Sequence, residues 1–129
     1  MILLAFPMML QGQSRGKIKE LGIKSLTVQE YFLEESKDKY VVELEESYDR
    51  NGRLIEIKEY NSRSEVKKWE KYVYNDDGDL VEEIFLDARG KVLRREKTVY
   101  EGDLRVEKLF YDEKDRLVKR KKYVYSYYK

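Results

Sequence analysis

The sequence predicts an all-β protein: an antiparallel meander of about eight strands that forms one twisted or curled sheet. A tyrosine recurs at Tyr48, Tyr74, Tyr100 and Tyr125, which gives a repeat of 25 or 26 residues. Each repeat contains two turn-like motifs and is rich in the β-branched and aromatic residues that favour strands. Repeats of this size bury their apolar surface against neighbouring units, so we expect consecutive strands to pair.

Six predicted turns separate the strands, and they read YDRNGRL, YNSRSEV, YNDDGDL, LDARGKV, YEGDL and YDEKDRL. In the first, third and fourth, an Asp or Asn opens the turn and a Gly closes it, which predicts type I turns ending in a glycine bulge. Such turns place residues opposite one another in three pairs: Tyr48 and Leu54, Tyr74 and Leu80, Leu86 and Val92.

The other three turns depart from this pattern. Residues 61–64 and 112–115 lack a glycine, which predicts looser turns. The connection through Gly102 is two residues shorter than the others and requires a tighter loop. The odd spacing between Leu104 and Tyr111 predicts a β-bulge in that strand.

Residues 1–14 differ from the rest because they are uncharged and contain all three methionines and the only proline. Their apolar run is too short to span a bilayer, so no transmembrane segment is predicted. The run fits the hydrophobic region of a secretory signal, although no basic residue precedes it. Residues 1–14 are therefore predicted to be a signal-peptide remnant of a protein exported to the periplasm, the outer surface or the medium. A buried N-terminal strand is the alternative.

Residues 15–129 are predicted to form a single β-repeat domain, because no Pro-rich or Gly/Ser-rich linker divides them. We expect two strands before Tyr48, one between residues 17 and 33 and one between residues 39 and 47, joined by a hairpin loop at residues 36–38. Residues 30–35 also fit a helical turn. Val66, Trp69 and Val73 have helical spacing, but the equivalent residues 92–100 alternate, so we predict a strand in both segments.

Simple alternation places Leu54 and Glu56 on one face of the sheet and Ile57 and Trp69 on the other. Neither face is wholly apolar, and 41% of all residues are charged. This composition predicts a thin sheet whose sides are covered by tyrosine rings and by the stems of lysine and arginine.

The motifs Y-D-x-N-G-x-L and Y-N-D-D-G-D-L resemble the YD repeats of RHS-like bacterial surface and toxin-carrier proteins. More distantly, they are similar to the MORN-like repeats of some bacterial antitoxin and exported proteins. The resemblance covers roughly residues 40–126 and implies export and a curling β-meander. RHS-like chains use long arrays to enclose a cargo, and this chain is too short for that.

The composition limits the chemistry of any active site. The sequence has no His and no Cys, which excludes Ser-His-Asp and Cys-His nucleophilic sites and most zinc and copper sites. We predict no cofactor and no catalysis. Because carboxylates are abundant, a carboxylate-dependent hydrolase is a third hypothesis. Asp76, Asp77 and Asp79 match only a fragment of a calcium loop, and a turn explains them better.

The candidate ligand-binding residues are aromatic, because exposed aromatic rows stack on sugars or anchor protein partners. They are Trp69, Tyr72, Tyr74, Tyr123 and Tyr125, and ordinary packing within the repeats is the alternative for each. The predicted function is non-catalytic surface recognition of a protein or glycan. An intracellular antitoxin or immunity-type binding protein is the alternative.

Charge is unevenly distributed along the chain. Residues 34–90 contain 10 basic and 17 acidic residues, whereas residues 91–129 contain 13 basic and 7 acidic ones. We therefore predict head-to-tail or edge self-association, in which the basic last strand meets the acidic region of another copy. Lys119 to Lys122 alternate between faces of a strand, so a nucleic-acid partner is not favoured.

Overall fold

A computed structural model describes residues 14–129, which form one helix and an eight-stranded sheet. The elements are α1 (Arg15–Leu21), β1 (Ser25–Tyr31), β2 (Tyr40–Tyr48), β3 (Leu54–Tyr60), β4 (Val66–Tyr74), β5 (Leu80–Leu86), β6 (Val92–Glu101), β7 (Leu104–Tyr111) and β8 (Leu117–Lys122). Each strand pairs antiparallel with the next, and the sheet is open. The predicted all-β meander of about eight strands is confirmed. The predicted signal segment, apart from Ser14, lies outside the described residues.

Five of the turns share one set of backbone hydrogen bonds. In the first, the Asp49 amide donates to the Arg53 carbonyl at 2.9 Å and the Gly52 amide donates to the Asp49 carbonyl at 3.0 Å. The same two bonds recur in the turns that open at Asn61, Asn75, Asp87 and Asp112. The residue four places into each turn has a positive φ. The predicted pairs of Tyr48 with Leu54, Tyr74 with Leu80 and Leu86 with Val92 are all confirmed.

The two turns without glycine are not looser than the others, so that prediction was wrong. Ser64 and Asp115 take the glycine's place with a φ of 62°, and the hydrogen-bond lengths match those of the glycine turns. The opening side chain holds the geometry: Asn61 Oδ1 accepts from the amides of Arg63 and Glu65 at 2.9 and 3.0 Å. This local bonding offsets the strain of a non-glycine residue in the left-handed region.

The short connection between β6 and β7 is a two-residue loop, which confirms the prediction that this loop is tighter than the others. Glu101 and Leu104 are directly paired, and Gly102 has a φ of 59°. The predicted strand over residues 66–74 is also confirmed, since β4 occupies that range.

A β-bulge recurs in every hairpin, whereas the sequence predicted one only in β7. The predicted bulge is present, because Val99 pairs with Glu107 and Tyr100 pairs with Arg105, which leaves Val106 unpaired in the ladder. In the five other hairpins after Tyr48 the extra residue is the second of the outgoing strand: Ile55, Lys67, Val81, Leu93 and Val118.

These bulges change which side chains share a face. Leu54 and Ile57 are both 2% exposed and belong to the same core, although simple alternation placed them on opposite faces. Glu56 instead lies beside Trp69, whose indole N–H donates to it at 2.9 Å. An extra residue in a strand moves every side chain after it to the face opposite the one that simple alternation predicts. The face prediction therefore failed for these residues.

The segment before β2 combines predicted and unpredicted elements. Strands β1 and β2 are present, but residues 15–21 form a helix that the sequence analysis did not predict. Ser14 caps its N-terminus and Gly22, with a φ of 67°, caps its C-terminus. The amides of Glu35 and Ser36 both donate to the Phe32 carbonyl, so a helical turn follows β1 near the position considered.

The core lies at the N-terminal end of the sheet. It consists of Ile18, Leu44, Tyr48, Leu54, Ile57, Tyr72 and Leu80. Helix α1 packs directly on the first turn, where a β-carbon on Gly52 would lie 2.4 Å from the Arg15 carbonyl oxygen. No described residue of β6, β7 or β8 is fully buried, so the C-terminal strands are held mainly by pairing and by their surface side chains.

Candidate functional site

One face of the sheet, here called the helix face, changes character from strand to strand. Direct cross-strand partners share a face, so the pairing register identifies its members. They include Leu26 and Val28 in β1; Leu44, Glu46 and Tyr48 in β2; Leu54, Ile57 and Glu59 in β3; Lys68, Glu70, Tyr72 and Tyr74 in β4; Leu80, Glu83 and Phe85 in β5; Arg94, Glu96, Thr98 and Tyr100 in β6; Arg105, Lys108 and Phe110 in β7; and Lys119 and Lys121 in β8. The face therefore has most of its buried apolar residues in β2 and β3, carries both acidic and basic residues across β4 to β6, and is basic at β7 and β8.

The middle of the helix face holds a row of carboxylates neutralised by lysines. Lys108 Nζ lies 3.1 Å from Glu96 Oε1 and 3.6 Å from Glu83 Oε2. Lys68 Nζ lies 3.1 Å from Glu70 Oε2. The side chains of Glu83, Glu96 and Lys108 are each about 14% exposed. This partial burial strengthens their mutual interaction compared with a fully exposed ion pair.

Glu83 carries the clearest electrostatic perturbation in this row. Burial raises its pKa; Lys108 opposes this effect, and the neighbouring Glu96 and Glu70 add to it, so the net pKa lies above the usual range. Two carboxylates around one ammonium form a compact ion triad. Its immediate consequence is structural, since it joins β5, β6 and β7 through one lysine.

Next to the triad, Phe110 lies among three lysine ammonium groups. The Nζ atoms of Lys119, Lys121 and Lys108 lie 4.8, 5.4 and 5.6 Å from the centroid of its ring. These distances are within the range of cation–π attraction, worth about 0.5–1 kcal/mol each at exposed sites. We call Phe110 with Lys108, Lys119 and Lys121 the Phe110 patch.

Basic and aromatic side chains extend the Phe110 patch on both sides. The Arg94 guanidinium carbon lies 3.8 Å from the centroid of Phe85, and the Arg105 guanidinium carbon lies 5.1 Å from the centroid of Tyr123. Arg94 also pairs with Glu96 at 3.3 Å. Lys119 and Lys121, in contrast, have no carboxylate partner within 4.0 Å among residues 14–129. Their charges remain available to a binding partner.

The structure separates the five aromatic residues predicted to bind a ligand. Trp69 lies on the face opposite Tyr72 and Tyr74, because its direct partners are Lys58 and Leu86. Its indole N–H is bonded to Glu56, and Lys58 Nζ lies 4.0 Å from the ring centroid. A β-carbon on Gly90 would lie 3.2 Å from the ring. Much of the Trp69 surface is therefore already in contact with its own chain.

Tyr72 and Tyr74 have structural hydrogen bonds. Tyr72 is 7% exposed, and its hydroxyl donates to Glu70 at 3.0 Å. Burial, followed by the nearby Glu70 carboxylate, raises its pKa far above the usual range. The Tyr74 hydroxyl donates to the Leu54 carbonyl at 2.7 Å, and burial raises the pKa of Tyr74 to about 12. Within the described chain, these contacts are the ones expected if Tyr72 and Tyr74 pack within the repeats and do not bind a ligand.

Tyr123 and Tyr125 lie at the C-terminal edge, next to the Phe110 patch. The Tyr123 amide donates to the Val106 carbonyl at 3.0 Å, and the Tyr125 hydroxyl donates to the Arg105 carbonyl at 2.6 Å. Tyr125 is 41% exposed. Of the five predicted residues, these two lie closest in the sheet to the uncompensated lysines.

Sequence reasoning missed the Phe110 patch because it treated residues 119–122 as one strand in isolation. Lys119 and Lys121 do point to the face opposite Arg120 and Lys122, as alternation requires. However, their direct partners in β7 are Phe110 and Lys108, so the patch assembles across strands. The turn between Tyr111 and Leu117 fixes this register, so the sequence of that turn was the feature from which the patch could have been found.

No helix in the described part of the chain is long and apolar enough to span a membrane. Comparison with known protein families finds no family model that matches this sequence. Comparison with curated proteins finds no matching relative.

Proposed function

We propose that this chain is a non-catalytic β-repeat protein that recognises an acidic surface of a protein partner through the Phe110 patch. The observation that supports this function is the position of Lys119 and Lys121 around an aromatic ring, without an acidic partner in residues 14–129. Phenylalanine is enriched at protein interfaces, and lysines without an acidic partner steer an acidic protein toward it.

Two observations favour a protein partner over a glycan. Sugar recognition by stacking requires an open aromatic face, and Trp69 is in contact with Lys58 and with the turn at Gly90. The charge of the Phe110 patch also favours a ligand that carries carboxylates, whereas many glycans are neutral. Long-range attraction between the lysines and an acidic partner would also accelerate association at low ionic strength.

Export is part of the proposal, and it depends on the composition of residues 1–14 and on the resemblance to YD-repeat proteins. The alternative is an intracellular antitoxin or immunity-type binding protein, to which a basic recognition patch is equally suited. N-terminal sequencing of the protein from its native host distinguishes the two. Loss of the leading segment supports export, and an intact N-terminus in the cytosolic fraction supports the alternative.

A carboxylate-dependent hydrolase remains the third candidate, because Glu83 and Glu96 lie close together and the pKa of Glu83 is raised. In a glycosidase, two carboxyl groups flank the scissile bond. Here Lys108 occupies the position between them, which favours a structural role. Hydrolysis of a glycoside that is abolished by Glu83→Gln would support the enzyme instead.

The recognition function is tested by quantitative affinity capture from an extract of the native host. The wild-type chain is compared with Lys119→Glu/Lys121→Glu, which reverses the two uncompensated charges. The matched control is Lys37→Glu/Lys67→Glu, which changes the net charge equally at two exposed lysines outside the patch. We expect an acidic protein that the wild type and the control retain and that the patch variant loses.

Three outcomes would contradict the proposal. Retention of the same proteins by the patch variant would show that the patch is not the contact. Loss of binding in the patch variant and the control alike would indicate non-specific charge attraction. Binding of a DNA or RNA oligonucleotide, with a steep dependence on salt, would assign the patch to nucleic acid instead.

A further inference from the structure

We infer that copies of this chain join head to tail, with β8 of one copy pairing antiparallel with β1 of the next to extend the sheet. This self-association uses the backbone edge of β8 and not the sheet face that carries the Phe110 patch, although the lysines of the patch contribute to the positive charge of β7 and β8. Among the described residues, β1 pairs only with β2 and β8 pairs only with β7, so each has one unpaired edge. An unpaired edge presents backbone donors and acceptors that can bind another strand.

The topology makes the two edges of one chain compatible with each other. The strands alternate in direction, and there are eight of them, so β1 of a second copy runs antiparallel to β8. A ninth strand would have that same direction. Strand addition by a second copy therefore continues the existing antiparallel ladder, with a cross-strand geometry like that of the hairpins.

Charge complementarity favours this pairing. Strands β1 and β2 contain four glutamates and no lysine or arginine. Strands β7 and β8 contain six lysines or arginines and one glutamate. Opposite charges across neighbouring strands stabilise a sheet, and like charges directly opposite one another destabilise it.

The same charges disfavour the pairing of two β8 edges. Two β8 edges would place Lys119, Arg120, Lys121 and Lys122 against the same residues of the other copy. Lysines on edge strands normally prevent such pairing, and here they leave as the preferred partner the β1 edge, which has one glutamate and no basic residue. Because the β8-to-β1 contact joins two different surfaces, it does not close on itself, and the expected product is a growing linear series.

The backbone orientation of β8 identifies a substitution that blocks only the edge. The Tyr123 amide donates to Val106 in β7, so alternation directs the Lys121 amide toward β7 and the Arg120 and Lys122 amides away from it. Arg120→Pro removes one outward donor without removing a donor to β7. The matched control is Arg120→Ala, which also loses the ion pair of Arg120 with Glu107 at 3.7 Å but keeps the amide.

The test is sedimentation velocity of the purified full chain over a range of protein and salt concentrations. We expect a series of oligomers that grows with protein concentration and shrinks at high salt. Arg120→Pro should weaken association by about tenfold or more relative to Arg120→Ala, and it should shorten wild-type assemblies because it retains its β1 edge.

A second variant keeps the inference falsifiable if Arg120→Pro disturbs folding. Arg120→Glu/Lys122→Glu reverses two charges on the face opposite the Phe110 patch, so it should weaken assembly while partner capture remains. A wild-type monomer at every concentration would overturn the inference, as would unchanged assembly by Arg120→Pro. Either result leaves the proposed recognition function standing.

Discussion

The Tyr74 hydroxyl donates a hydrogen bond to the backbone carbonyl of Leu54, twenty residues earlier, at 2.7 Å. The same contact joins Tyr100 to Leu80 at 3.0 Å and Tyr125 to Arg105 at 2.6 Å. Tyr74 and Tyr100 lie near the end of one strand and bind the start of the preceding strand, and Tyr125, three residues beyond β8, binds the second residue of β7. From Tyr74 onwards, the recurring tyrosine therefore fixes each unit to the one before it.

Removal of this hydroxyl should destabilise the protein. We expect Tyr74→Phe to lower the free energy of unfolding by about 0.5–1.5 kcal/mol, since the ring remains and one hydrogen bond is lost. Urea unfolding followed by the fluorescence of Trp69, the single tryptophan, measures the change. The control is Tyr128→Phe at a fully exposed residue, which should have no effect. Equal stability of Tyr74→Phe and wild type would show that the bond contributes nothing.

Gly52 and Gly102 separate the effect of backbone conformation from that of packing. Both have positive φ, but a β-carbon on Gly52 would meet the α1 backbone at 2.4 Å, and one on Gly102 would meet nothing within 4 Å. Gly102→Ala should cost about 1 kcal/mol from left-handed strain alone. Gly52→Ala should cost about 1–3 kcal/mol more because α1 must move. Equal losses in chemical denaturation would mean that α1 does not pack on this turn.

Ser64 occupies the left-handed position that glycine holds in three other turns, with a φ of 62°. Ser64→Gly should therefore raise stability by about 0.5–1 kcal/mol by relieving that strain. Ser62, in the same turn, is outside the left-handed region, so Ser62→Gly should be neutral or destabilising. Thermal unfolding of the two variants in parallel tests the difference, and a stability gain in both would contradict this explanation.

The turn aspartates should make stability depend on pH. Hydrogen bonds from the amides of Lys91 and Arg89 lower the pKa of Asp87. A lowered pKa stabilises the folded state above the unfolded value of about 4, and this contribution is lost as the pH falls through the folded value. Asp87→Asn keeps the acceptor oxygen without titrating, so its stability should vary less below about pH 4.

The reciprocal substitution provides the control for this prediction. Asn61 fills the same place in its own turn, where Oδ1 accepts from two amides. Asn61→Asp should therefore add acid sensitivity that the wild-type turn lacks. Denaturant unfolding at several pH values measures both effects, and parallel pH profiles for wild type and the two variants would refute the mechanism.

The turns and strand order could be predicted from the sequence because both depend on local chemistry. Asp or Asn opening a turn and Gly closing it fixed the pairing of Tyr48 with Leu54, and the repeat extended that register to the other strands. Helix α1 escaped prediction because its residues lie outside the repeat. The face assignment failed because a bulge follows each turn and sequence alternation does not register the extra residue.

The candidate site was less predictable, since its members come from different strands. The direct pairing of Phe110 with Lys119 can be derived from the sequence only if the bulge at Val118 is known. The predicted aromatic residues could be recognised by type, but their exposure depends on neighbours. Tyr72 is buried because β3 and β5 place core residues beside it, and Tyr123 remains at the edge because the sheet ends there.

Because every strand pairs only with its sequence neighbours, order in this sheet is transmitted mainly from one hairpin to the next. The buried core ends at Leu80, so the position of β8 depends on the successive strand pairings that connect it to the core near the helix. In such quasi-one-dimensional proteins, local stability adds up from each unit and its interfaces. The two ends of the sheet consequently differ in local stability, and unfolding should begin at the lysine-rich strand β8 and progress toward the helix.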